Sequence, residues 1–412
     1  MSNGSLFHLV CFTVIFLHSH NFLFMNKDLT KVKNILYNLI QIDVLGGQSN
    51  LRIADYITSF LEENGVSVVK VYNEDRDKYF IHCRIGPAVD GGVILSGHTD
   101  VVPVEGQPWT KSPFYLTESD GLWYGRGSCD MKGFLACCLA SVERFTKADL
   151  KKPVYLAFSY DEEIGCLTGA EIANAIREGY TERPSYAIIG EPSMMHPVIG
   201  HKGICVLETV INGSQGHSSR ILNEVSAVHV AAELIRWLEE YMKSKVTSGK
   251  TDDRFSPNHT SIHVGMIKGG IAPNVIADSC RFQWDVRVIP SDDVRAILRD
   301  FKLFCEKLKN EKRRLFPDFE VVTSELHPPV PPLITEVGDD VVSLVSALSG
   351  NEPSGTVAYA AEAGQFAEAG FSTVICGPGD IAQAHRSDEY VAVNQIGQCM
   401  EMMDRLCIWL SE

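Results

Sequence analysis

The chain has 412 residues, of which 45% are hydrophobic and 22% charged, with a formal net charge of −15. That length exceeds what one hydrophobic core usually serves, so two domains are expected, and the composition is that of an ordinary globular protein. That net charge argues against nucleic acid or an anionic membrane as a partner, since both call for basic patches, so neither is expected.

The 12 cysteines include the neighbours Cys137 and Cys138 in an apolar run and no pair with metal-finger spacing. They read as thiols of a reducing cytoplasm rather than as a disulfide framework. Residues 6–24, LFHLVCFTVIFLHSHNFLF, are apolar but broken by His8, His18, His20 and Asn21. They lack a basic n-region and a small-residue cleavage site, and fall short of the roughly 20 clean apolar residues of a membrane span. We read residues 1–24 as a non-core N-terminal extension, with the folded chain opening at Met25; a targeting or anchoring segment is the rival.

Helical patterns are expected over 28–42 and 50–64, separated by Gly46-Gly47; the second presents Leu51, Ile53, Ala54, Ile57 and Leu61 on one face and ends at Gly65. Strands follow at 66–71, 79–85 and 92–95, then a buried helix at 131–145, a strand at 154–158, a helix at 169–178 and a strand at 186–189. This alternation is the signature of an α/β layered domain. From residue 201 the order changes to strand 203–212, helix 223–243, strands 261–267 and 280–289, helix 291–308 and strand 319–326, ending in the prolines of 328–332. That β-α-β-β-α-β order is the ferredoxin-like unit. The α/β character resumes with helix 338–349, strand 373–376 and helix 393–410. The expected architecture is α/β with an inserted α+β domain: a first domain over 25–200 and 331–412, and the insertion over 201–330.

Chemistry-bearing residues cluster at strand ends, where open α/β sheets place their sites. The strand ending at Leu95 runs into His98-Thr99-Asp100, and a glycine turn delivers Gly125-Arg126-Gly127-Ser128-Cys129-Asp130. Asp161-Glu162-Glu163 follows strand 154–158, Glu191 follows strand 186–189, and His385 follows strand 373–376. Taken singly, each has an ordinary reading: a capping histidine, a solvated acidic turn, and for Cys129 a small buried neighbour of Asp130. Together they offer His and carboxylate donors without thiolates, which suits a hydrolytic zinc, cobalt or manganese centre, and two metals about 3.5–4 Å apart clamp both oxygens of a displacement.

The segments GHTDVVP, GRGSCDMKG, DEEIG, GEPS, GHSSR and AHRSDEY together resemble the M20 metallopeptidase family, which includes aminoacylases, acetylornithine deacetylase and succinyl-diaminopimelate desuccinylase. The resemblance runs from about Met25 to the C-terminus. It implies a zinc-peptidase-like α/β/α sandwich with a ferredoxin-like lid and dimerisation domain, and two divalent ions, Zn2+ first and Co2+ as the alternative. Asp130 would bridge both ions, with His98 and Glu191 on one and Glu163 and His385 on the other. Glu162 would be the general base, and Asp100 would orient His98. His217 would stabilise the oxyanion, within one chain or across a homodimer interface formed by the lid. Asn274 and Arg287 would hold the substrate carboxylate, although Arg287 also reads as a strand residue paired with Asp285.

Within that family, GPGDIAQAHRSDEY and Ala361-Glu362-Ala363-Gly364 resemble the acetylornithine deacetylase members, where Glu362 would receive a cationic substrate end. The chain departs at Ala360-Ala361, where the family more usually has Gly-Thr or Cys-Thr. The implied reaction is hydrolysis of N2-acetyl-L-ornithine to acetate and L-ornithine, in arginine biosynthesis. The alternatives are another N-acyl-amino-acid deacylase, a metallo-dipeptidase, or a non-catalytic protein that binds amino-acid derivatives.

Overall fold

In the computed structural model, residues 28–412 are described; the reading of residues 1–24 lies outside them. The chain forms two compact units: one contains the described residues up to Pro197 together with Glu336–Ser354 and Ala369–Glu412, the other Val198–Thr335 and Gly355–Glu368.

The first unit is built on strands in the order Val68–Tyr72, Tyr79–Ile85, Val154–Ser159, Val93–His98, Tyr186–Pro192 and Ser372–Gly377. The first three pair antiparallel, and the last four run parallel to one another. Val93–His98 and Val154–Ser159 are buried at every position, which requires both faces of the sheet to be covered. Helices Lys132–Lys147 and Gly169–Gly179 pack on strands of the sheet, and Lys132–Lys147 also packs on Val393–Ser411. Because the four central strands are parallel, their carboxyl ends share one edge. The backbones there are tight: a Cβ on Gly190 would lie 2.0 Å from the Phe134 ring, and one on Gly377 would lie 2.0 Å from the Gly190 carbonyl oxygen.

The sequence pattern missed a small sheet of three short strands, Thr117–Ser119, Leu122–Tyr124 and Tyr390–Ala392. Strands this short carry too little alternation to read; pairing holds them.

The second unit contains a four-stranded antiparallel sheet ordered Ser261–Gly269, Ser279–Val288, Gly203–Asn212, Glu320–Glu325. With helices Ala227–Thr247 and Val294–Lys312 this is the β-α-β-β-α-β arrangement. Burial alternates along Gly203–Asn212 and Ser279–Val288, so one face packs on the helices through Leu207, Phe282, Trp284, Leu234 and Phe301. The first helix starts at Ala227 rather than near 223, because Ser226 supplies the N-cap, accepting from the His229 N–H, after a 3-10 turn over Ser218–Asn223. The unit also takes in Gly355–Glu368, which the sequence reading grouped with 331–412. Strands Leu333–Ile334 and Gly355–Val357 both hydrogen-bond to Val198–His201.

Candidate functional site

The carboxyl edge of the parallel strands gathers the acidic and imidazole groups. His98 ends its own strand, Glu191 lies near the end of Tyr186–Pro192, and Glu162 and Glu163 follow Val154–Ser159. Asp130 stands just before helix Lys132–Lys147, and His385 lies beyond Ser372–Gly377. His385 and Asp161 both take left-handed backbone, with φ of +62° and +58°, a conformation that non-glycine residues hold mainly where surrounding contacts impose it.

Two groups result among the described residues, His98–Asp130–Glu191 and Asp130–Glu163–His385, with one donor atom from each member within 4.8 Å of the others. Asp130 belongs to both: its Oδ1 lies 3.1 Å from His98 Nε2, and its Oδ2 lies 3.4 Å from His385 Nε2. Glu163 Oε2 is 2.9 Å from His385 Nε2, and Glu191 Oε1 is 3.8 Å from His98 Nε2. Glu162 Oε2 stands 4.0 Å from His98 Nε2.

His98 donates from Nδ1 to the Asp100 main-chain carbonyl at 2.9 Å, while the Asp100 carboxylate stands 3.6 Å away. The orienting contact expected from the Asp100 side chain is thus made more closely by its backbone. The carboxylate instead accepts from the N–H groups of Glu162 and Glu163, at 3.2 and 3.1 Å. Asp100 therefore fixes the His98 imidazole with its carbonyl and the acidic turn with its side chain.

The electrostatics show what this donor set lacks. The carboxylates of Asp130, Glu162, Glu163 and Glu191 are no more than 11% exposed and stand against two imidazoles, His98 and His385. Burial, then the charge of Asp130, pushes Glu191 well above the carboxylate range, and the same two causes raise Glu163 to about 7. Burial also opposes ionisation of Asp130, but hydrogen bonds from His385 and His98 outweigh it and hold Asp130 low. Those with Asp130 and Glu163 raise His385 to about 10. Burial lowers His98, yet bonds to Asp100 and Asp130 carry it well above its ordinary value. Protons thus balance a cluster with too little positive charge, so the residues fit divalent cations.

The other expected site residues lie in the second unit. His217 pairs with Val275 in a two-residue ladder, and Asn274 accepts from the Ser218 N–H at 3.0 Å, so the two are neighbours. His217 Nδ1 accepts from the Ser219 N–H at 3.2 Å, which leaves the proton of a neutral ring on Nε2. Arg287 Nε lies 3.6 Å from Asp285 Oδ1, the ordinary pairing. Glu362 is buried, and the following turn is tied to His201, whose Nε2 accepts from the Gly364 N–H at 3.0 Å.

Residues 94–408 match peptidase family M20/M25/M40. The chain belongs to this family of hydrolases. It is 32% identical over 392 residues to an acetylornithine deacetylase of Myxococcus xanthus, covering 92% of this chain and 98% of that one. It is 33% identical over 363 residues to an acetylornithine deacetylase of Shigella sonnei, covering 86% and 90%. Among solved structures, an M20 family metallo-carboxypeptidase from Sulfolobus solfataricus superposes with a TM-score of 0.72 at 17% identity, over 91% of this chain and 98% of that one. An aminopeptidase from Bacillus cereus gives 0.70 at 18% identity, over 93% and 99%. At such identities these two establish the fold.

Around the family's acidic edge stand residues that sequence reasoning passed over. Arg126, read as part of a turn, is a buried cation whose Nη1 lies 2.7 Å from Glu389 Oε2. The other oxygen of Glu389 accepts from the N–H groups of Cys129 and Asp130, at 2.9 and 3.1 Å. Arg126 Nη2 also donates to Gln107 at 2.6 Å, and the Gln107 amide donates to the His385 carbonyl at 2.8 Å. One ion pair thus ties the Asp130 turn to the loop carrying His385. A second, Lys78 Nζ to Asp161 Oδ2 at 2.5 Å, holds the acidic turn. Arg126 and Glu389 lie inside GRGSCD and HRSDE, and nothing in the one-dimensional pattern pairs them. Cys129 is buried, its thiol donating to the Asp380 carbonyl at 3.3 Å.

Proposed function

We propose that the chain is an amidohydrolase that holds two divalent ions, Zn2+ first and Co2+ as the alternative, and converts N2-acetyl-L-ornithine to acetate and L-ornithine. The observation that carries the reading is the position of Asp130, whose two oxygens face His98 and His385 separately. One carboxylate shared between two donor groups is what a bridged pair of ions needs. Asp130 is assigned as the bridge, His98 and Glu191 to one ion, Glu163 and His385 to the other. Ions held there supply Lewis acidity and bring the pKa of water toward about 7.

The remaining work belongs to side chains. Glu162, beside the ligand Glu163, presents Oε2 toward His98 Nε2 at 4.0 Å. It is the general base, taking the proton of the attacking water and returning it to the departing amine. The Asp100 contacts with the main chain of Glu162 and Glu163 hold the backbone that carries that carboxylate. His217, with its Nε2 proton available, is assigned to the oxyanion. Arg287 and Asn274 are assigned to the substrate carboxylate, where a guanidinium serves bidentately, and Glu362 to the cationic end.

The choice of substrate rests on the two deacetylase relatives. A homodimer formed through the second unit belongs to the same reading, supported by the edge strand Ser261–Gly269 with Met266 and Ile267 exposed. A reducing cytoplasm as the compartment is supported by the free state of every described cysteine. Among the described residues no helix is long and apolar enough to cross a membrane.

A panel of N2-acetyl-L-ornithine, N-succinyl-diaminopimelate, N-acetylmethionine and a dipeptide tests the assignment. The highest kcat/KM should fall on the first; a higher value on any other moves the substrate. Glu162→Gln should keep both ions and lose about 10²–10⁴-fold in turnover. A variant retaining more than a few percent removes Glu162 from the role.

A further inference from the structure

We infer that Cys166 is a positioning residue for Glu162, an inference that rests on the reading of Glu162 as the general base. The acidic turn closes on itself beyond Glu163. The N–H groups of Gly165 and Cys166 both donate to the Glu162 carbonyl, at 2.9 and 2.8 Å, and that of Leu167 donates to the Asp161 carbonyl at 3.1 Å. Asp161, Gly165 and Cys166 all take positive φ, +58°, +130° and +52°. This winding brings the buried Cys166 side chain back over Glu162, with Sγ 3.2 Å from Oε1.

An ionised carboxylate only accepts, so the thiol is the donor. With Oε1 held by the thiol, the carboxylate turns Oε2 toward His98 and the ligand cluster. Rotation about the last bond of a glutamate is otherwise broad. Backbone at φ +52° suits glycine better than any residue with a Cβ, yet this position carries a side chain, and its polar atom lands on the base. Asp100 fixes the backbone of Glu162 and Cys166 fixes its carboxylate, so the base is held at both ends.

Three variants separate this role from space filling, assayed on whichever substrate of the panel is turned over. Cys166→Ala keeps the Cβ and the left-handed strain but removes the donor, Cys166→Ser restores an O–H donor, and Cys166→Gly relieves the backbone. Cys166→Ala and Cys166→Gly should lower kcat about tenfold, the low end for loss of a supporting partner. KM, metal content and, for Cys166→Gly, the unfolding temperature should stay at the native values. Cys166→Ser should recover most of the loss. In a Glu162→Gln background, Cys166→Ala should cost nothing further, because the group it positions is gone.

The inference is overturned if Cys166→Ala retains native kcat, if Cys166→Ser is no better than Cys166→Ala, or if turnover falls only as metal is lost. The two readings fail differently. An active Glu162→Gln removes the base itself, whereas an inactive Glu162→Gln beside a fully active Cys166→Ala removes only the positioning role.

Discussion

Replacing Glu389 by alanine leaves the Arg126 guanidinium buried without its partner. Both side chains are 1% exposed, and their closest contact is 2.7 Å. Breaking a buried pair by removing one member costs about 3–5 kcal/mol. The variant also strands the N–H groups of Cys129 and Asp130, which bond Glu389 Oε1, and an orphaned buried donor costs about 1–3 kcal/mol. Because these losses share one cavity they do not simply add, and about 4–6 kcal/mol is expected for metal-free protein unfolded in urea. At about 2–4 °C per kcal/mol for a domain of ~150–250 residues, the thermal midpoint should fall by roughly 8–24 °C. Glu389→Gln keeps an acceptor for the two N–H groups and should lose less. Adding Arg126→Met to Glu389→Ala should recover much of the loss, since the stranded charge is then gone. A cost below about 1 kcal/mol, the range of exposed pairs, would refute the clamp.

Three further outcomes follow from the same contacts. Burial lowers His201 from 6.5 to about 4; the folded value is depressed, so its contribution is complete above pH 6.5 and is lost as pH falls toward 4. That window is worth up to about 3 kcal/mol at about 1.4 kcal/mol per pH unit. His201→Gln should therefore flatten the difference in urea stability between pH 7 and pH 4.5, and an unchanged difference would exclude His201 as its source. Gly190→Ala would set a Cβ 2.0 Å from the Phe134 ring; an overpacking cost of about 1–3 kcal/mol is expected, read as a lower urea midpoint, and a neutral result would show that the helix moves freely. In metal-free protein His385 is raised to about 10 and His98 lies well above its ordinary value. Loading with zinc at pH 7.5 should therefore release at least about two protons, those of the two imidazoles, with more from the raised Glu191 and Glu163. The release is measured by titration calorimetry in buffers of different ionisation enthalpy; no release would contradict the assignment of both imidazoles as ligands.

The positions of His98, Glu163, Glu191 and His385 were legible because a strand end is marked locally, by an apolar run that stops at a glycine or a polar residue, and that of Asp130 because a glycine turn marks it ahead of a helix. Parallel pairing of the four central strands then gathers those ends on one edge. The ferredoxin-like order was legible for the same reason, its strands being long and alternating. The supports were not. Arg126 and Glu389 are 263 residues apart in the chain, and Lys78 and Asp161 are 83 apart. A charged residue in a pattern reads as solvated until its partner is seen. Cys166 carried no signal in the sequence, because only the left-handed winding of the acidic turn brings its sulfur onto Glu162. The strand Gly355–Val357 escaped notice because hydrogen bonds to Val198–His201 define it, not periodicity.

The central claim is that one bridged pair of ions at Asp130 serves the hydrolysis. It is tested most directly by counting bound metal and following turnover of N2-acetyl-L-ornithine in the same samples of native protein and Asp130→Ala. Native protein should hold two equivalents of zinc per chain, lose turnover on chelation and regain it as two equivalents are returned, whereas Asp130→Ala should hold neither ion. Full turnover by the chelated native protein, or two ions retained by Asp130→Ala, would contradict it.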